Sequence, residues 1–217
     1  MRRKLTWGVF LAAILIPFAL FVPAQATPLA VGDGITFADI YGRSSGYLGG
    51  PYKASANGAS FATFCVELDE TLTFGTAYTI GGIGLVTVTS GKPLSPEVKY
   101  LYYNYRTGNL DDLFPSFSYN DAQDERTLQG AIWKWMGWGV PAGQLGYFDN
   151  VLYASLTGDA LKGLGSDIDN VVILNIIDSN RNNRQDVLAM VPEPATFLLL
   201  GLGLFGLSTL GRRKIRR

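Results

Sequence analysis

Two long apolar runs at opposite ends of the chain limit what can fold in water to the stretch between them. The first extends from Leu5 to Val22 and follows three basic residues, and the second extends from Ala195 to Gly211 and precedes a basic tail. An apolar run beside a basic cluster is typical of an export or anchoring segment rather than of a folded domain. A globular domain is therefore expected only within residues 27–191.

The N-terminal run predicts a secretory signal peptide over residues 1–26. Residues 24–26 read Ala-Gln-Ala, and signal peptidase requires small residues at the first and third of these positions. We therefore predict cleavage after Ala26. An uncleaved membrane anchor is the alternative, but Pro17 and Pro23 interrupt the run and disfavour it.

The C-terminal end is built from three different parts. Pro192-Glu193-Pro194 is followed by the uncharged stretch 195–211 and by the basic tail 212–217. A helix over 195–211 would be about 25 Å long at 1.5 Å per residue, which is enough for a thin bilayer. One C-terminal transmembrane helix is therefore predicted, with its arginines in the cytoplasm and the body outside.

These three parts, in this order, closely resemble the PEP-CTERM sorting signal of Gram-negative bacteria over residues 191–217. The resemblance implies that an exosortase processes the protein near Pro192-Glu193-Pro194 and that the protein is then released or re-anchored. Such proteins usually occur in species that make exopolysaccharide. The alternative is an ordinary anchor behind a proline-stiffened spacer. Both interpretations place the body outside the inner membrane, at the cell surface or in the extracellular matrix.

Composition excludes several chemistries. The chain has no histidine, which excludes an imidazole base and a histidine-ligated metal site. Its one cysteine excludes an internal disulfide and a cysteine-cluster zinc site. Residues 27–191 contain 17 acidic and 10 basic residues, and this net charge of −7 argues against a nucleic-acid partner. We predict no cofactor and no metal.

The domain over residues 27–190 is predicted to be α+β, a barrel-like or sandwich-like β framework with a helical segment inserted at about 94–162. Short β-branched or aromatic stretches predict strands at 34–41, 61–68, 76–80, 85–88, 171–177 and 186–190. Capping residues and helical spacing predict one helix between Ser95 and Gly108, a second from Asn120-Asp121, and a third over about 149–158.

Two positions within this domain give the most specific indication of function. Cys65 lies in the predicted strand stretch Thr63-Phe64-Cys65-Val66, and Gln129 lies 64 residues later in Leu128-Gln129-Gly130-Ala131-Ile132-Trp133. An aromatic-Cys-Val strand followed by Leu-Gln-x-Ala-Ile-Trp resembles the thioester domain of bacterial surface adhesins, over roughly residues 32–190. The resemblance implies that the Cys65 thiol attacks the Gln129 amide, ammonia leaves, and an internal thioester results.

The function implied is single-use covalent attachment to a surface amine or hydroxyl of an unknown protein or polysaccharide. Because the protein would not turn over, it would not be an enzyme. Aromatic cover from Trp133, Trp135 or Tyr102 would keep water from the thioester. The alternative is a noncovalent structural or carbohydrate-binding component of the exopolysaccharide matrix, in which Cys65 is a buried free thiol and aromatic rings stack on sugars.

Two polar clusters have a functional and a structural explanation. Residues 178–183 place oxygen ligands at alternating positions, as a calcium loop does, but lack the required glycine and the bidentate glutamate. Glu67 and Asp69 could be paired carboxylates for glycoside hydrolysis. We expect a polar turn at 178–183, and we expect Glu67 and Asp69 to lie on the solvent face of a strand whose other face is buried.

Overall fold

The computed structural model describes residues 29–41, 49–140 and 165–191. The signal peptide, the third predicted helix at about 149–158 and the predicted transmembrane helix at 195–211 lie outside these ranges. Within them, no helix combines the length and the hydropathy needed to cross a membrane.

One antiparallel sheet of six strands, in the order β3-β2-β1-β4-β5-β6, dominates the described residues. The strands are β1 (Gly34–Asp39), β2 (Tyr52–Ala56), β3 (Ala59–Thr63), β4 (Ala77–Gly84), β5 (Val171–Ile177) and β6 (Asn183–Met190). Every strand contributes alternate side chains to one buried apolar cluster, which includes Phe37, Ala54, Phe61, Ile80 and Leu174. Because strand side chains alternate between faces, one face of the whole sheet encloses this interior core.

The two outer strands of the sheet are joined beyond the end of β3. Val66 N–H donates to the carbonyl of Asp186, Leu188 N–H donates to that of Phe64, each at 3.1 Å, and Cys65 forms an antiparallel bridge with Val187. We call residues 63–66 and 186–188 the seam. These contacts satisfy backbone groups that an open sheet edge would leave unpaired.

The described residues between β4 and β5 contain the α-helices α1 (Pro96–Thr107), α2 (Leu110–Leu113) and α3 (Ala122–Trp135), and a 3-10 helix (Gly165–Asn170) that leads into β5. Ser95 caps α1 with its side chain, and Gly108 ends the helix in the left-handed conformation at φ 77°. The Asp121 carboxylate accepts two N–H groups of the first turn of α3. The caps are thus those that the sequence predicts.

A second apolar cluster, the helix-facing core, lies between the helices and the outer side of the seam. It contains Phe64 and Val66 together with residues of α1, α3 and β6. Their neighbour Cys65 belongs to the interior core. Successive seam residues therefore divide between the two cores, as strand alternation requires.

The sandwich-like β framework with a few inserted helices is confirmed, but some predicted bounds are wrong. The strand predicted at 61–68 is β3 followed by the seam, and β2 and α2 were not predicted. The stretch 85–88 is not a strand. Val86 forms one isolated bridge with Pro93, and the Val88 N–H donates to the Asp186 carboxylate instead of to a ladder partner.

Replacing Tyr102 by Phe should destabilise the seam. The Tyr102 hydroxyl lies 2.8 Å from the carbonyl oxygen of Ala62 in β3, just before the seam, and 3.2 Å from that of Leu188 in the seam, so it ties the β3 and β6 sides to α1. Losing one buried hydrogen bond should lower the free energy of unfolding by about 1 kcal/mol in urea titrations. Tyr100→Phe on the same helix is the control, because its hydroxyl has no hydrogen-bond partner among the described residues. Equal stability of the two variants would contradict the assignment.

Candidate functional site

The side-chain amide of Gln129 pairs with the peptide groups of Cys65. Gln129 Nε2 donates to the Cys65 carbonyl at 2.8 Å, and Gln129 Oε1 accepts from the Cys65 N–H at 2.9 Å. Both residues are about 1% exposed. A residue in an antiparallel ladder exchanges both its N–H and its C=O with one partner, and here a side-chain amide takes the place of that partner. The two residues predicted from the sequence are therefore in direct contact.

Gly50 completes the binding of this amide. Its N–H donates to Gln129 Oε1 at 2.7 Å. Gly50 lies two residues before Tyr52, where β2 begins and pairs with Thr63 of β3. The segment that leads into the β2–β3 hairpin therefore supplies the third hydrogen bond to the Gln129 amide.

Two glycines are required here because the Gln129 side chain lies against their backbone. A Cβ on Gly49 would stand 2.5 Å from Gln129 Cγ, and its φ of 96° also disfavours other residues. A Cβ on Gly50 would stand 2.8 Å from the Thr63 carbonyl oxygen. The sequence analysis does not predict the contact of these two glycines with Gln129.

Two N–H groups, of Gly50 and Cys65, converge on Gln129 Oε1 at 2.7 and 2.9 Å. When a nucleophile attacks an amide carbon, negative charge develops on the carbonyl oxygen, and fixed donors at this distance stabilise it. The arrangement can therefore activate the Gln129 amide toward attack.

The Cys65 thiol is held in its protonated form. Burial raises its pKa to about 12, and the nearby Glu67 charge also raises it, whereas hydrogen bonds with Tyr52 and Gly50 act in the opposite direction. Since the thiolate is the nucleophilic species, the sulfur must lose its proton as it attacks.

Trp133 lies over the site, one helical turn after Gln129. It is 4% exposed, and its ring atom Cη2 would lie 2.7 Å from a Cβ on Gly49. Its indole N–H donates to the Glu67 carbonyl at 3.1 Å. The other two aromatic residues considered as cover, Tyr102 and Trp135, pack in or against the helix-facing core.

The expectation that Glu67 faces solvent is wrong. Glu67 is fully buried, and its Oε1 accepts from Ser90 N–H and Oγ–H at 3.0 and 2.8 Å. Its Oε2 has no hydrogen-bond partner within the described part of the chain. Asp69 is exposed. The two carboxylates therefore occupy different environments, because the chain leaves the strand geometry after Val66.

Residues 178–183 form the predicted polar turn between β5 and β6. The Asp178 carboxylate accepts from the N–H groups of Asn180 and Asn182 and pairs with Arg184 at 2.6 Å. Hydrogen bonds from Asn182 lower the pKa of Asp178 to about 2. Over the described ranges, no group of three potential metal ligands occurs.

Comparison with known proteins identifies the C-terminal segment. Residues 191–217 match the family described as the PEP-CTERM protein-sorting motif. The chain carries a PEP-CTERM sorting motif. It is thus an exported surface protein that is anchored in the membrane before sorting and is processed by an exosortase. The resemblance based on Pro192-Glu193-Pro194 is confirmed.

One solved domain is similar to this chain at low sequence identity. The N-terminal domain of the Streptococcus pyogenes pilus tip adhesin Cpa is similar, with a TM-score of 0.42 and 11% identity. The similarity covers 77% of this chain and 98% of that domain. No curated protein matches the sequence.

Replacing Gly50 by Ala should displace the Gln129 amide. The added methyl group would meet the Thr63 carbonyl at 2.8 Å and Gln129 Oε1 at 3.2 Å, so the backbone must move away. We expect the free energy of unfolding to fall by about 1–3 kcal/mol, measured by chemical denaturation. Gly34→Ala is the control, because nothing lies within 4 Å of its Cβ position. A Gly50→Ala protein as stable as the control would contradict the close contact.

Asp186, at the seam, should make stability depend on pH. Burial raises its pKa to about 7, against hydrogen bonds from Val88 and Asn175. Since the folded state binds this proton more tightly than the unfolded state, its contribution is complete below about pH 4 and is lost as the pH rises through 7. Thermal unfolding of Asp186→Asn should show a smaller decline between pH 4 and 7 than the wild type. Parallel curves would refute this assignment.

Proposed function

We propose that this exported surface protein attaches itself covalently, and once, to a partner through an internal thioester between Cys65 and Gln129. The observation that supports the proposal is the binding of the Gln129 amide by both peptide groups of the residue that carries the thiol. A buried glutamine on an apolar helix face needs hydrogen-bond partners. Here those partners are the peptide groups of the residue that carries the thiol, and the Gly50 and Cys65 N–H groups both donate to the amide oxygen.

The reaction that forms the thioester balances without a cofactor. Cys65 Sγ attacks Gln129 Cδ, and charge on Oε1 is stabilised by the two N–H groups. The Cδ–Nε2 bond breaks, the nitrogen takes up the thiol proton, and ammonia leaves. A carboxamide is a poor electrophile, so fixed near-attack geometry must supply a large part of the activation, as it does in other well-oriented intramolecular reactions.

Burial would protect the thioester from hydrolysis until a partner reacts with it. The thioester would lie beneath Gly49 and Trp133, where Cys65 and Gln129 are each about 1% exposed. Excluding water prevents hydrolysis of an activated acyl group before it meets its target.

Attack by a partner amine would form an amide with the Gln129 acyl group and release the Cys65 thiol. Attack by a hydroxyl would form an ester instead. Nothing in either reaction restores the thioester, so the protein acts as a single-use attachment device and not as an enzyme. The partner is a protein or polysaccharide at the cell surface or in the matrix, and exosortase processing near Pro192-Glu193-Pro194 leaves the body released or re-anchored there.

Intact-mass spectrometry tests the proposal. The exported protein is isolated without reductant or amine buffers, its termini are mapped, and its mass is compared with the mass calculated from its sequence. We expect the wild type to be one ammonia lighter than calculated. Methylamine should then add one methylamine and expose one thiol.

Cys65→Ala and Gln129→Ala are the matched controls. Each should have its calculated mass, should not react with methylamine, and should form no denaturant-resistant adduct with partner extracts. A wild-type mass equal to the calculated mass, with a thiol that appears on unfolding, would exclude the thioester. It would favour a noncovalent matrix component with Cys65 as a buried thiol.

A further inference from the structure

The face of α3 that carries Gln129 also presents a buried carboxylate one helical turn earlier. Glu125 lies four residues before Gln129, and residues at this spacing share one face of a helix. Glu125 is 3% exposed. A buried carboxylate destabilises a fold unless hydrogen bonds or an opposite charge compensate it, so Glu125 requires partners at this position.

Two tyrosine hydroxyls donate to this carboxylate. The Tyr105 hydroxyl donates to Glu125 Oε1 at 2.8 Å, and the Tyr41 hydroxyl donates to Oε2. The N–H of Asn120, just before the start of α3, lies 3.4 Å from Oε1. Both carboxylate oxygens therefore have partners, and one side chain joins α3 to α1 and to the chain that follows β1.

The Tyr41 contact joins α3 to the end of the sheet beside Gly50. The last residue of β1 pairs with the first residue of β2. Tyr41 lies two residues after β1, and Gly50 lies two residues before β2, so both are beside the same end of this ladder. The helix therefore binds this end of the sheet twice, through Glu125 to Tyr41 and through Gln129 to Gly50.

The Tyr105 contact joins the same carboxylate to the seam. The Tyr105 ring makes an edge contact with the Phe64 ring, with a centroid distance of 5.0 Å. Both rings belong to the helix-facing core, and Phe64 directly precedes Cys65. Glu125 is therefore linked through one tyrosine to the side of the seam that carries the thiol.

Trp133 fixes α3 on the other side of Gln129. Its indole N–H, one turn after Gln129, donates to the Glu67 carbonyl at 3.1 Å. Glu125, Gln129 and Trp133 thus form a row along one face of α3, and each side chain hydrogen-bonds to a segment outside the helix. Anchors on both sides of Gln129 restrict sliding and rotation of the helix, so the position of the amide depends on both.

We infer that Glu125 is a positioning residue for closure of the thioester, an inference that rests on the proposed function. By holding α3 against its two tyrosine partners, Glu125 keeps the Gln129 amide on its N–H donors and beside the residue that carries the thiol. The bonds that form and break are still those of Cys65 Sγ, Gln129 Cδ and Gln129 Nε2, and ammonia leaves. Misplacing reacting groups by about 1 Å can slow such a reaction roughly 100-fold.

Glu125→Ala tests the inference because it removes the contacts with both tyrosines. Newly exported full-length protein is sampled after a short pulse of isotope-labelled amino acids. Intact-mass spectrometry with mapped termini then follows the labelled fraction that is one ammonia lighter than calculated. We expect this fraction to rise about 100-fold more slowly in the variant than in the wild type. Since closure takes place inside the folded protein, a loss of stability alone does not change its rate while the protein stays folded.

Glu125→Gln is the conservative variant and should close at nearly the wild-type rate. Its side-chain oxygen can still accept from Tyr105, and its NH₂ group can donate to the Tyr41 hydroxyl oxygen. The side chain keeps its length, so the contacts with both tyrosines survive the loss of charge. A Glu125→Gln protein as slow as Glu125→Ala would assign the effect to charge and would overturn the positioning role.

Tyr119→Phe is the control for stability. The Tyr119 hydroxyl donates to the Asn104 carbonyl at 3.2 Å and accepts from the Leu110 N–H at 2.8 Å, so these two hydrogen bonds join α1 and α2 rather than α3. The variant should be less stable than the wild type and should close at the wild-type rate. A folded Glu125→Ala protein that closes as fast as this control overturns the inference.

The two proposals fail in different ways. A wild type that keeps its full calculated mass overturns the thioester itself, whereas equal closure of wild type and Glu125→Ala overturns only the role of Glu125. If Glu125→Ala does not fold, Tyr41→Phe decides, because it removes one hydroxyl and keeps the ring. Tyr41→Phe must then close more slowly than Tyr119→Phe, and equal rates overturn the inference.

Discussion

The hydrogen bonds across the seam are the interaction on which the rest of the structure depends. They engage the Phe64 carbonyl and the Val66 N–H with β6, which leaves both peptide groups of Cys65 pointing to the opposite side. In a regular sheet another strand would take up those groups. Here β2 begins only at Tyr52, opposite Thr63, so it does not extend to Cys65, and the Gln129 amide occupies the place. The closure of the sheet therefore determines where α3 must dock and which side chain it must present.

The same arrangement couples stability to chemistry. A buried carboxamide without partners would cost about 1–3 kcal/mol for each unsatisfied group, so the fold gains by binding Gln129 where it does. That binding fixes the amide carbon beside the residue that carries the thiol and places two N–H donors on its oxygen. Geometry that a catalyst would have to impose is present here as part of the core packing.

Local signals made much of the fold predictable, and long-range contacts explain what the sequence could not show. Ser95, Gly108 and Asp121 act through neighbouring backbone groups, so the ends of α1 and α3 follow from the sequence.

The strand β2 is built from small and polar residues and has no β-branched run, so its pattern is weak. The Glu67 carboxylate accepts from Ser90, 23 residues away in the sequence, and Gly50 donates to Gln129, 79 residues away, so neither contact has a local signal. Motif spacing in the sequence predicts the pair Cys65 and Gln129, whereas the third partner of the amide, Gly50, has no such motif.

Burial protects the Cys65 thiol from side reactions before the proposed thioester forms. An exported chain passes through an oxidising compartment, where exchange and oxidation proceed through the thiolate. With its pKa raised to about 12 and the side chain about 1% exposed, Cys65 is protected from both. Burial hinders every reaction of Cys65 with a molecule from outside the protein. It does not hinder a reaction with Gln129, because Gln129 is buried in contact with Cys65. The proposed chemistry therefore requires that the thiol lose its proton in the same step in which the sulfur attacks Gln129.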